Sequence, residues 1–104
     1  MEPFTKKAIA VIQCIPSGSV MTYGQIAAHA GSPRGARQVA RLLHSMSSKY
    51  QLPWHRVINA EGRISIQDGI HREIQEELLQ AEGVEINDSK IDLTKFRFDP
   101  GQDA

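Results

Sequence analysis

The chain has 104 residues, 40% of them hydrophobic, with 12 basic and 12 acidic side chains that bring the formal net charge to zero. That length supports one domain with a modest core, and that apolar content predicts an ordered chain. No apolar run approaches a membrane span, Lys6-Lys7 lead into no signal-peptide core, and the single cysteine, Cys14, excludes an internal disulfide and a cysteine-built zinc quartet. His29, His44, His55 and His71 lie far apart without ligand spacing, so no metal and no other cofactor is expected. A monomer in the cytoplasm, or in the nucleus of a cell that has one, is expected.

The zero balance conceals a segregated pattern. Residues 34–63 hold Arg34, Arg37, Arg41, Lys49, Arg56 and Arg63 against Glu61 alone, a net of +5, whereas residues 68–104 carry a net of −6. A neutral protein can in this way present a basic face and an acidic face, although ordinary surface charge gives the same count.

In chain order, Phe4, Ala8, Val11, Ile12 and Ile15 fall at helical spacing and predict a core-facing helix that ends at Pro16-Ser17-Gly18. Cys14 falls on the expected buried face of that helix, where a small hydrophobe is the commoner role. Thr22-Tyr23-Gly24-Gln25 reads as a capping box, opening a short helix from Tyr23 to His29 that Gly31-Ser32-Pro33 stops. A second helix is predicted from near Pro33 to about Ser45, with Ala36, Val39, Ala40, Leu43 and Met46 on one face and Arg34, Arg37, Arg41 and His44 on another. Two short helices with a Gly-containing turn and a basic stripe on the second predict a helix-turn-helix, a motif that many helical hairpins imitate without binding anything.

Residues 47–53 read as a loop. Trp54 to Ile58 is a candidate strand, Asn59-Ala60-Glu61-Gly62 a turn, and Arg63 to Ile66 the returning arm of a small β-hairpin. Ile70, Ile74, Leu78 and Ala81 then predict the core face of another helix, capped by Gly83. An acidic extension over 87–104 follows a core of about 4–86. Ile91, Leu93, Phe96 and Phe98 are expected to dock on that core, and Pro100 to Ala104 to fray. The fold class is mainly α: a winged-helix-like arrangement with a helix-turn-helix and a small hairpin.

Pro53-Trp54-His55-Arg56-Val57 resembles the active-site strand of O6-alkylguanine-DNA alkyltransferases, which reads Pro-Cys-His-Arg-Val. The stretch from Ile15 to Ala27, the run Ala36-Arg37-Gln38-Val39, Gly62, and Leu78-Leu79 with Glu82-Gly83 resemble further family segments in the same order. With tryptophan at the nucleophile position, the chain is similar above all to the alkyltransferase-like proteins. No counterpart of the enzymes' separate N-terminal domain is expected.

The resemblance implies a non-enzymatic sensor of DNA damage. It would bind duplex DNA containing O6-alkylguanine through its minor groove, flip the nucleotide and direct the lesion to nucleotide excision repair proteins. It implies a lesion pocket at Tyr23, Trp54, His55, Ser65, Ile66 and Gln67. Tyr23 and Arg37 would act in base flipping, and Thr22, Gln25, Arg34, Gln38 and Arg41 in further DNA contacts. His55 and Glu82 would be the remnant of the relay that generates a thiolate in the enzymes. An indole has no comparable nucleophilicity, so alkyl transfer at Trp54 is not expected. Without the resemblance, Trp54 reads as a core aromatic and Arg37 as a surface arginine. The chain departs from the enzymes at Ser47-Ser48, where they carry Asn-Pro, and at Ser65-Ile66-Gln67-Asp68-Gly69, where their hairpin carries a Tyr-Ser-Gly-Gly-type sequence.

Two other classes compete. One is a repair enzyme that uses His55 as a general base or Cys14 as an acceptor; the other is a winged-helix regulator that reads sequence.

Overall fold

The computed structural model describes residues 2–100. Helix α1 (Pro3–Gln13) begins on a proline, whose missing N–H costs nothing in a first turn, and buries Ala8, Ile9 and Ile12. Cys14, which caps its C-terminal end, is exposed rather than buried. The apolar stripe turns away from it as the helix closes, and the buried position passes to Ile15.

Strand β1 (Met21–Thr22) runs directly into α2 (Tyr23–His29). The predicted capping box is present: Thr22 Oγ1 accepts the Gln25 N–H at 3.0 Å, and Gln25 Oε1 accepts the Thr22 N–H at 3.2 Å. Gly31, at φ +96°, takes the chain out of α2. Helix α3 (Ala36–Tyr50) then starts later than predicted, because the Gly35 N–H first closes a turn onto the Ser32 carbonyl at 2.8 Å. It also runs to Tyr50, through residues expected to form a loop. Ser45 and Ser47 turn their hydroxyls back onto the Arg41 and Leu43 carbonyls, so neither breaks the helix. Gln51, in the left-handed region at φ 51°, ends it.

Trp54–Arg56 forms a single 3-10 turn, and only Val57–Ile58 continues as strand β2. The expected hairpin is not formed. β2 pairs in parallel with β1, Met21 opposite Val57 and Thr22 opposite Ile58. The Asn59–Gly62 turn does occur, with the Asn59 side chain accepting the N–H groups of Glu61 and Arg63. Beyond one rung from Asn59 to Arg63, however, the chain leaves. Arg63 bridges to Lys90, and the Ile64 N–H goes to the Ser89 carbonyl.

Helix α4 (Gly69–Ala81) starts on Asp68, whose side chain accepts the Ile70 N–H. It ends with Gly83 at φ +92° and a Val84 N–H that returns to Leu79. Its orientation corrects the sequence reading: Gln75 and Leu79 are the buried residues, whereas Ile70, Ile74 and Leu78 are exposed. The final short helix α5 (Leu93–Phe96) and the segment after it pack back on the body. Val20 exchanges backbone hydrogen bonds with Phe96 and Phe98, and Ile91 is buried. Of the predicted frayed end, 101–104 lies outside the described residues.

Two apolar clusters result. One joins α1, α2 and α3 with Leu52 and Val57; the other gathers Val20, Ile58, Ile64, Leu79, Val84 and Ile91. The β1–β2 pair lies between them, Met21 and Val57 serving the first and Ile58 the second. Mainly helical architecture is thus as expected, with a parallel strand pair in place of the hairpin.

Candidate functional site

A groove of about 1280 Å³ opens between α3, the 3-10 turn and the N-terminal end of α4. Tyr23, Arg37, Trp54, Ser65 and Ile66 line it, as expected from sequence. His44, Asp68 and His71 line it too, and sequence reasoning did not single them out for the pocket. Their common signal is topological: α3 is longer than predicted, and the 64–68 segment crosses to reach α4 rather than returning along β2. Gln67 and His55 are not among the lining residues.

Trp54 is fixed from three sides. Its backbone N–H donates to the Leu52 carbonyl at 2.8 Å, its ring packs on the first core cluster, and two imidazoles meet it edge-on. The rings of His55 and His71 each lie 6.3 Å from it, at interplanar angles of 86° and 72°. His71 is in turn held by Asp68 at 2.7 Å across the first turn of α4, and it holds the Asp68 carboxyl below the usual range. Burial pushes the Tyr23 phenol up, with the neighbouring Ser65 hydroxyl acting in the opposite direction, so the phenol is neutral at physiological pH and available to donate.

His55 is engaged by Glu82 rather than lining the groove. Its Nε2 lies 2.8 Å from Glu82 Oε2; an ionised carboxylate only accepts, so Nε2 carries the proton. Glu82 also receives the Arg56 guanidinium, with Nη2 to Oε2 at 2.7 Å and Nε to Oε1 at 3.0 Å, and the Gly18 N–H at 3.1 Å. Burial alone would raise the Glu82 pKa, but these donors outweigh it and bring it to about 2. Arg56, whose Nη1 also donates to the Ile15 carbonyl at 2.9 Å, is the member of this cluster that the sequence reading left as surface charge. The arrangement ties together the turn between α1 and β1, the 3-10 turn and the end of α4. The one cysteine, Cys14, is exposed at the C-terminal end of α1 and does not line the groove.

The remaining predicted positions divide. Arg34, Arg37, Gln38 and Arg41 are exposed before and along the first turns of α3, and none of the three arginines enters an ion pair among the described residues. The α3 N-terminus, at Gly35, has no side-chain cap hydrogen bond. Thr22 and Gln25 are spent internally. Thr22 is buried, and Gln25 Nε2 donates to the Phe98 carbonyl and to Asp99, tying the C-terminal segment to α2. Among the described residues no group of three or more histidines, cysteines or carboxylates is clustered to hold a metal.

Residues 3–84 match the family model described as the DNA-binding domain of 6-O-methylguanine DNA methyltransferase. A relative named "DNA base-flipping protein" from Vibrio parahaemolyticus is 43% identical over 96% of this chain and 100% of its own length. "Alkyltransferase-like protein 1" of Schizosaccharomyces pombe is 37% identical over 96% of this chain and 98% of its own. A crystal structure of S. pombe Atl1 in complex with damaged DNA containing O6-carboxymethylguanine superposes with a TM-score of 0.86, at 37% identity, over 96% of this chain and 98% of that one. The chain belongs to the alkyltransferase-like branch of the family defined by the methylguanine methyltransferase DNA-binding domain.

Proposed function

We propose that this protein is a non-enzymatic sensor of O6-alkylguanine in duplex DNA. The observation that carries the proposal is the groove itself: an aromatic wall at Trp54, a neutral phenol at Tyr23 and, beside them, an Arg37 that enters no ion pair among the described residues, with no thiol in the lining to accept an alkyl group. Arg34, Arg41 and the uncapped start of α3 suit phosphates. α3 sits in the minor groove, where the edges of the bases give little sequence information, so search rather than sequence reading is the task. Arg37 enters the stack as the damaged nucleotide leaves it; extrusion costs about a few kcal/mol, and a planar guanidinium offsets part of that by stacking. The flipped guanine lies against Trp54 with its alkyl group toward Ser65 and Ile66. The relatives named as base-flipping and alkyltransferase-like proteins support this reading, as does the damaged DNA in the Atl1 complex.

His55 and Glu82 keep the turn that carries Trp54 in place. His55 is not among the residues that line the groove, which counts against its acting as a general base there, and exposed Cys14 lies outside the groove. The bound, distorted duplex is then passed to nucleotide excision repair. An equimolar incubation with a methylated duplex tests the non-enzymatic part: the complex forms, the lesion is recovered intact and the protein mass is unchanged. A gain of one methyl on the protein, or a base released from the DNA, contradicts it.

A further inference from the structure

Helix α4 carries an apolar ridge that its own fold leaves partly uncovered. Gln75 and Leu79 face inward, while Ile70, Ile74 and Leu78 are 70%, 39% and 39% exposed. Spacing of four residues sets these three above one another along roughly 12 Å of helix. Single exposed hydrophobes are ordinary; three in register on one helix form a patch.

The surroundings of the patch are acidic. Glu73 and Glu77 are exposed, and their helical positions put them along one edge of the ridge. Neither enters an ion pair among the described residues. The one arginine of α4, Arg72, is directed to the Ile64 carbonyl on another side of the helix, and His71 pairs with Asp68.

We propose that this ridge docks a protein segment: an amphipathic helix that presents leucine- or isoleucine-type residues at spacing four, flanked by lysine or arginine. Charge selects that occupant. Glu73 and Glu77 repel a phosphate backbone. A second copy packed about a two-fold axis sets its own unpaired Glu73 and Glu77 against these. A basic helix covers the apolar ridge and supplies the missing counter-charges. Ile70 lies between the groove residues Asp68 and His71, whereas Ile74 and Leu78 are not among the residues that line the groove, so Ile74 and Glu77 are the positions that test the ridge apart from the lesion reading.

The test uses the full chain, isotope-labelled, titrated with a synthetic leucine/lysine amphipathic helix and with its leucine/glutamate counterpart. The leucine/lysine peptide is expected to shift the amides of residues 70–78 saturably. Ile74→Ser and Glu77→Lys should each weaken it by about tenfold, while the variants stay folded and duplex DNA binding is unchanged. Equal response to both peptides, shifts that collect elsewhere, or shifts indifferent to both variants would overturn the proposal. So would a wild-type dimer in sedimentation that Ile74→Ser dissolves, since that assigns the ridge to a second copy.

Discussion

Arg56 and Glu82 form a two-pronged pair, the guanidinium Nη2 and Nε lying 2.7 and 3.0 Å from the two carboxylate oxygens, with both side chains largely buried. It spans 26 residues of sequence and joins the 3-10 turn that carries Trp54 to the end of α4. Replacing one member of such a pair leaves the other buried without its counter-charge. Glu82→Gln is therefore expected to destabilise the fold by about 2–4 kcal/mol, read from urea unfolding. An unchanged midpoint would mean that Arg56 and His55 find other partners.

The same carboxylate sets an acid limit. Its folded pKa of about 2 lies below the ordinary value of 4.5, so its contribution is present above 4.5 and lost as pH falls toward 2. Wild type should lose stability across that window. Glu82→Gln, weaker to begin with, should show a shallower decline there, measured as melting temperature against pH.

Gly62 is closely packed against the 87–91 segment. It sits at φ +81°, and a Cβ there would lie 2.5 Å from the backbone oxygen of Ile91. The same two residues share a 2.8 Å hydrogen bond from the Ile91 N–H to the Gly62 carbonyl. Gly62→Ala must therefore both adopt a strained backbone and push the 87–91 segment away, at a cost of about 2–3 kcal/mol. Hydrogen exchange should localise the loss to Ile64 and Ile91, whose N–H groups bond across that junction.

Gln75 illustrates a role that helical periodicity hides. Its amide donates to the carbonyls of both His55 and Val57 at 3.1 Å, fastening α4 to the 3-10 turn and β2. Gln75→Leu fills the space but leaves a buried acceptor at Val57 and a partly buried one at His55 without their donor, and a loss of about 1–3 kcal/mol in urea unfolding is expected.

The helix-turn-helix was legible in the sequence because its signals are local: a capping box at Thr22, glycine at 31, and an apolar face on α3. The groove lining at Tyr23, Arg37 and Trp54 came from the family motif rather than from any period. What failed was non-local. β2 was read as half of a hairpin because Asn59–Gly62 is a sound turn, yet β2's partner lies 36 residues earlier, at β1. α4 shows one clear apolar stripe, Ile70, Ile74, Leu78 and Ala81, which periodicity places inward although all four are exposed. The buried face instead pairs Leu79 with a glutamine, which no hydrophobic pattern marks as core. His71 entered the groove by the same rotation.

Phosphate-facing and stack-filling arginines separate by salt. Arg41→Ala should weaken binding to any duplex and lower the salt slope by about one, without changing the preference for damaged DNA. An altered preference with an unaltered slope would move Arg41 from phosphate to base.

The central claim rests on Arg37 and on one methyl group. The direct measurement is a titration of two duplexes that differ only by a methyl on one guanine oxygen, against wild type and Arg37→Ala. The account predicts tighter binding of the methylated duplex by wild type, with the preference reduced by about tenfold or more in the variant. Equal affinity of wild type for the two duplexes would contradict it.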